Sequence, residues 1–187
     1  MSVTVVATVG SAEANSYLSV AAADTIANTM LATLQWGTAT TDNKGRALIN
    51  ATRYLDQLDW IGSRTTTTQA LDWPRSEATC GDKEYDDDEV PPEIHYATFD
   101  LADALLNNPA LLSGSNASLN ELIPGIPNSD LRSARVDVLA VEFKDTGGGG
   151  PTIKNVLTVL PHLVGILGCL TTSSLNTSVG RIAVLRS

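Results

Sequence analysis

The side chains able to do chemistry are few and scattered. There are two histidines, His95 and His162, two cysteines, Cys80 and Cys169, and an acidic run, Glu84-Tyr85-Asp86-Asp87-Asp88-Glu89, preceded by Asp82. Catalysis needs a nucleophile with its base, an acid–base pair or a metal constellation. His95 follows Ile94 at the start of a helical pattern and His162 stands in an apolar stretch, so a structural role is expected for each. The chain has no Gly-x-Ser-x-Gly, His-Glu-x-x-His or Walker pattern. The acidic run lacks the Asp-x-Asp-x-Asp-Gly order of a calcium loop and is expected to be a solvated turn. The cysteines are far apart and lack metal-type spacing, so neither a disulfide nor a zinc site is expected. Gly147 to Gly150 is not followed by a helix carrying Lys-Ser/Thr and is no phosphate loop. These observations point away from an enzyme and predict no cofactor and no metal.

The aromatic residues offer a second kind of chemistry. Trp36, Trp60 and Trp73 with Tyr54 could stack on nucleobases, with Arg53, Arg64 and Arg75 nearby to meet phosphate. The neighbours of these residues do not form basic stripes, so core and loop-anchoring roles are expected instead. The arginines then suit a subunit or partner interface, where Arg and aromatic side chains are enriched. Arg53, Tyr54, Trp60, Trp73, Pro74 and Arg75 are accordingly the scaffold and interface candidates.

The elements that must position them follow from periodicity and punctuation. The chain has 187 residues with 43% apolar composition, enough for one domain with a core. Its net charge of −9 and pI of about 4.5 argue against a broad DNA-binding face. Val3 to Val9 alternates as a short strand or arm. Ser19 is a good N-cap for an alanine-rich helix from Val20 to Leu34, closed by Trp36-Gly37. Thr41 caps a second helix over roughly Asp42 to Leu58. Its inner positions are Ala47, Leu48, Ala51, Tyr54, Leu55 and Leu58, and its other face carries Asn43, Lys44, Arg46, Asn50, Arg53 and Gln57. Asp56 pairs with Arg53 or caps the following turn. Trp73, before Pro74, must be extended. Pro92 opens a third helix with Ile94, Ala97, Thr98, Leu101, Ala102 and Leu105 inward, stopped at Asn107-Asn108-Pro109. Pro109 to Asp130 is a long irregular loop. Val136 to Phe143 is β-like, with a frame shift that fits a bulge. A fourth helix follows Pro151, with a kink at Pro161 and a C-cap at Gly168.

The fold expected is mainly α: a small helical bundle of about four helices with a β-ribbon and extended terminal arms. Residues 1–187 form a single domain, with the helical core at about 15–107 and 151–168, a loop and ribbon insertion at 109–150 and a C-terminal arm at 169–187. The N-terminus has no basic n-region and no apolar run spans a bilayer, so a soluble, intracellular origin and no membrane partner are expected.

Asn15-Ser16-Tyr17, the Ala51-Thr52-Arg53-Tyr54-Leu55-Asp56 helix, Trp60-Ile61-Gly62 and Gln69-Ala70-Leu71-Asp72-Trp73-Pro74-Arg75 together resemble a tailed-bacteriophage family. Its members resemble head–tail adaptor, or connector, proteins and are often labelled DnaT-like single-stranded-DNA-binding proteins. The resemblance implies a structural virion protein made in the host cytoplasm and placed at the head–tail junction. It implies a homo-oligomeric ring of about twelve copies. Its partners are the portal protein and tail tube, nozzle or fibre proteins, and genomic DNA passes through the lumen without specific binding. The alternative is a phage single-stranded-DNA-binding replication accessory carried by Arg53, Arg64, Arg75 and the tryptophans.

Overall fold

The computed structural model describes residues 2–31, 34–109, 111, 133–136, 139–142 and 160–172, the strands after residue 132 by backbone alone. Five helices are described: α1 (Val20–Ala27), α2 (Leu34–Thr38), α3 (Thr41–Leu55), α4 (Pro92–Asn107) and α5 (Pro161–Leu167). Three antiparallel strand pairs accompany them. They are β1 (Ser63–Arg64) with β2 (Arg75–Ser76), β3 (Thr79–Cys80) with β4 (Lys83–Glu84), and β5 (Ser133–Val136) with β6 (Leu139–Glu142). The fold is partly helical with a few short strands. Among the described residues no helix is long and apolar enough to cross a membrane.

The centre is α4, which packs on each of the other four described helices and most extensively on α3. Its expected stripe of Ile94, Ala97, Thr98, Leu101, Ala102 and Leu105 is buried, and Phe99 widens it. Pro92 sits in the first turn, where a missing N–H costs nothing. From α3 come Ala47, Leu48, Ala51, Tyr54 and Leu55, and from α5 Leu163 and Leu167. Burying each large aliphatic side chain contributes about 1.5–3 kcal/mol. Trp36 of α2 meets Phe99 edge-on at 5.1 Å and donates from its indole nitrogen to Asp24 Oδ1 at 2.8 Å. Lys44 reaches the same carboxylate at 2.7 Å.

An extended N-terminal arm crosses α3 at Gly45. A Cβ there would lie 3.0 Å from Val5 Cγ2, so glycine lets the arm lie close. Asn15 holds the arm from its other side, accepting from the Val6 N–H at 2.9 Å and donating to the Thr4 carbonyl at 3.0 Å.

Several expectations are corrected. The first helix ends at Ala27 instead of Leu34. Thr29 closes the end by donating both its N–H and its hydroxyl to the Ile26 carbonyl. Thr25 bonds back to Ala21 in the same way, a habit that weakens helix interiors. Trp36 and Gly37 lie inside α2 and do not close α1. The cap of α3 is Thr40, whose hydroxyl accepts from the Asn43 N–H, and the helix stops at Leu55. The frame shift near Val136 is a strand reversal, since Val136 pairs with Leu139 across a hairpin. Pro161 starts α5 and does not kink a longer helix. The cysteines form a disulfide, Cys80–Cys169, with Cα atoms 5.6 Å apart, which spacing along 89 residues did not reveal. The loop at 112–130, the tetraglycine, the segment at 151–159 and the arm beyond residue 172 lie outside the described residues.

Candidate functional site

The Gln69 to Arg75 motif builds a clasp. Gln69 is buried; its Oε1 accepts from the Thr66 N–H at 2.9 Å, and its Nε2 donates to the carbonyls of Leu71 (2.8 Å) and Pro74 (3.0 Å). Trp73 is almost wholly buried, edge-on to Trp60 at 5.9 Å and to Tyr85 at 6.2 Å. The Trp73–Pro74 peptide bond is cis and Pro74 is buried. Arg75 donates to the carbonyls of Ile61 (2.7 Å), Gly62 (2.8 Å) and Asp72 (3.2 Å). Gly62 has φ of +69°, and a Cβ there would strike the Ser76 carbonyl oxygen, so only glycine fits beside β2. Arg64 pairs with Asp72 at 2.7 Å.

The carboxyl-terminal segment closes this clasp. Trp60 bridges to Thr171, the Ile61 N–H donates to the Leu170 carbonyl at 2.9 Å, and the Thr172 N–H donates to the Asp59 carbonyl at 2.8 Å. Cys80–Cys169 adds a covalent tie between the β3–β4 hairpin and the end of α5.

Beneath the clasp is a buried polar trio. The Tyr17 hydroxyl donates to Asp56 and accepts from the Trp73 N–H at 3.3 Å. Burial pushes the Asp56 carboxyl up to about 6, against the lowering effect of the Tyr17 bond. Burial, followed by the Asp56 charge, pushes the Tyr17 phenol far above its ordinary range. A raised carboxyl with a proton donor is the equipment of acid–base chemistry. Here both groups hold Asn15-Ser16-Tyr17 and the Trp73 backbone together, and their partners are the protein's own. His162 is similarly engaged, its Nε2 3.1 Å from Asp100 Oδ2. His95 is half-buried, and desolvation lowers its pKa. Among the described residues no group of three or more His, Cys, Asp or Glu side chains is placed to hold a metal ion.

The six candidates therefore divide. Trp60, Trp73, Pro74 and Arg75 come together as the clasp, turned inward. Tyr54 is buried on α3, its hydroxyl donating to the Leu111 carbonyl at 3.4 Å. Asp56 bonds Tyr17 and not Arg53. The three tryptophans are buried, as the core and loop-anchoring reading expects, which leaves no ring free to stack on a base. Arg53 alone of the six stands exposed.

It does not stand by itself. The outer face of α3 carries Asn43, Arg46, Asn50 and Arg53, and Gln57 continues their spacing of three and four residues in the turn just past the helix; all are exposed or half-exposed. Of the six Lys and Arg residues whose side chains are described, Lys44, Arg64 and Lys83 pair with carboxylates, and Arg75 is taken by three carbonyls. Arg46 and Arg53 form no ion pair among the described residues. The sequence reading placed all five residues on this face but, apart from Arg53, gave them no role. Nothing in spacing alone tells a free arginine from a paired one.

A family model described as "Putative DnaT-like ssDNA binding protein" matches residues 1–182. The chain belongs to that family. No curated protein and no solved structure matches it. The match corrects the head–tail adaptor expectation, because the family that spans nearly the whole chain is described by single-stranded-DNA binding. The resemblance reached this family by its DnaT-like label and erred only in the adaptor role, for a structural reason. The motifs that carried it, Asn15-Ser16-Tyr17 and Gln69 to Arg75, are consumed in holding the fold, so they mark ancestry and say nothing of a ring, a portal or a tail.

Proposed function

We propose that this chain is a non-enzymatic protein that binds single-stranded DNA. The observation that carries the reading is the family description over residues 1–182. The distribution of charge supports it. Residues 1–112 hold six Lys and Arg against sixteen Asp and Glu, whereas residues 113–187 hold six against five. The acidic excess is thus confined to one part of the chain. The insertion, fourth helix and carboxyl-terminal arm expected from the sequence, with Arg132, Arg135, Lys144, Lys154, Arg181 and Arg186, add cations to those of α3. A net charge of −9 gives no long-range attraction to DNA, so binding is by local contact and is steeply salt-sensitive.

The test is titration of a fluorescent oligonucleotide with purified protein at several salt concentrations, in single-stranded and duplex forms. Tighter binding of the single strand, with log K falling linearly as log salt rises, is the expected result. Absence of binding to the single strand at the lowest salt defeats the proposal.

A further inference from the structure

We infer that the outer face of α3 is where the single strand lies, with the phosphates on Arg46 and Arg53 and the bases over the groove beside them. This placement rests on the single-stranded-DNA reading above. Three observations converge on it. First, among the Lys and Arg side chains that are described, three pair with carboxylates and Arg75 is enclosed by three backbone carbonyls, which leaves Arg46 and Arg53, and these share one helix face at positions i and i+7. A guanidinium pointing to water in a chain with 21 carboxylates is an open anion contact. Second, their neighbours on the face are amides. Asn43 Oδ1 accepts from the Arg46 guanidinium at 2.9 Å and so steers it, which leaves most of its five N–H donors open. Asn50 Nδ2 is held by the Arg46 carbonyl at 2.8 Å, and Gln57 Nε2 by the Arg53 carbonyl at 3.3 Å. Those bonds fix the amides while leaving their side-chain oxygens to accept from base edges. Third, a groove opens between this face and the end of α4. It is lined by Asn43, Arg46, Ala47 and Asn50 on one side and by Leu105, Leu106 and Pro109 on the other. Its lining contains no acid, and its apolar wall suits the face of a base, which stacks without regard to sequence.

On α3 the stripe from Asn43 to Arg53 is about 15 Å long at 1.5 Å per residue, room for a few nucleotides. The acidic hairpin lies elsewhere: Lys83 is tied to Glu93 at the start of α4, at the opposite end of that helix from the groove. A strand on α3 thus avoids the main concentration of negative charge.

The experiment uses the full chain and a fluorescent oligothymidylate, with Arg46→Ala, Arg53→Ala, the double variant and Lys83→Ala as a charge-matched change off the face. Each phosphate contact releases about 0.7 counterion from a single strand, so losing one weakens binding about fivefold at moderate salt and lowers the salt slope by about 0.7. The double variant is expected to lose about 25-fold, and Lys83→Ala less than about twofold. Gln57→Lys, which adds a cation to the face, is expected to tighten binding. Both arginines are exposed, so unchanged melting accompanies the expected loss. Wild-type protein that binds while the double variant binds equally well overturns the placement and leaves the family reading standing. The same follows if Lys83→Ala weakens binding as much as Arg53→Ala does. Wild-type protein that fails to bind overturns both.

Discussion

Arg53 and Arg75 are the same side chain with opposite fates. Arg75 sits in the clasp with three carbonyls around its guanidinium. Arg53 stands on the outer face of α3 with no ion pair among the described residues. The clasp contains the most distinctive run of the sequence, and its buried side-chain polar atoms have partners inside the fold, the Trp60 and Trp73 indole nitrogens excepted. The α3 face is bland in sequence, a run of Asn, Arg and Gln, yet it is where cations remain open. A signature that identifies a family is thus no guide to its contact surface when the signature is what folds the chain. The contact surface is defined by what the fold leaves unpaired.

The comparison breaks most sharply at Trp73. Truncation to Ala empties a site packed against Trp60 and Tyr85 and is expected to lower stability by about 3–5 kcal/mol, read by chemical denaturation. Arg53→Ala should shift the same curve by less than about 0.5 kcal/mol, as exposed substitutions do. A Trp73→Ala protein as stable as wild type would show that the clasp does not hold the fold.

Reduction of Cys80–Cys169 comes next. The bond closes a loop of 89 residues and ties α5 to the clasp. Its removal, by reductant or by Cys169→Ser, is expected to cost about 2–4 kcal/mol. Because the tie lies on the clasp side, oligonucleotide affinity of the protein that remains folded should be unchanged. Loss of affinity in step with reduction would place the contact surface on α5 or the hairpin instead.

How much of this was legible in the sequence depends on what kind of interaction fixed each element. Helices α3 and α4 are local patterns: the apolar residues of Ala47 to Leu55 and Ile94 to Leu105 recur at helical spacing, and the structure buries them as expected. The early end of α1 was hidden because its apolar spacing continues through Met30, while the side chains of Thr25 and Thr29 take backbone carbonyls for themselves. The disulfide was hidden because nothing local links two cysteines 89 residues apart. The site was half legible. Periodicity placed Asn43, Arg46, Asn50, Arg53 and Gln57 on one face, but the openness of Arg46 and Arg53 follows from where Asp24, Asp72 and Glu93 fold, and they fold against other cations.

Arg75→Ala sharpens the same contrast at intermediate size. It removes donors from three carbonyls, one partly buried pair of them at Ile61 and Asp72, and is expected to cost about 2 kcal/mol. Arg75→Lys should recover little, since an ammonium cannot reproduce the planar fork that serves all three. In DNA binding the order reverses. Arg53→Ala weakens the complex and Arg75→Ala does not, once both are compared as folded protein.

The smallest effect is one of pH. The Asp56 carboxyl, at about 6 in the folded protein, lies above its ordinary value of 3.8 because burial penalises the charged form. Between those two values the folded chain holds more protons than the unfolded one, so unfolding releases protons. Raising the pH through that window therefore favours unfolding, and the contribution of Asp56 falls as pH rises from about 4 to about 6 and is flat above. Allowing for its partial exposure, the change is about 1–2 kcal/mol. Asp24 and Glu93, held below their ordinary values by Lys44 and Lys83 despite some desolvation, act in the opposite direction. The informative quantity is therefore the difference between wild type and Asp56→Asn, measured by denaturation across that range. A difference that narrows or widens steadily between pH 4 and pH 6 identifies Asp56 as the titrating group, and parallel curves exclude it. Oligonucleotide binding, which depends on guanidinium groups charged throughout this range, should follow the same course with pH in both proteins. The proton then acts on the clasp side of the molecule while the α3 face is untouched.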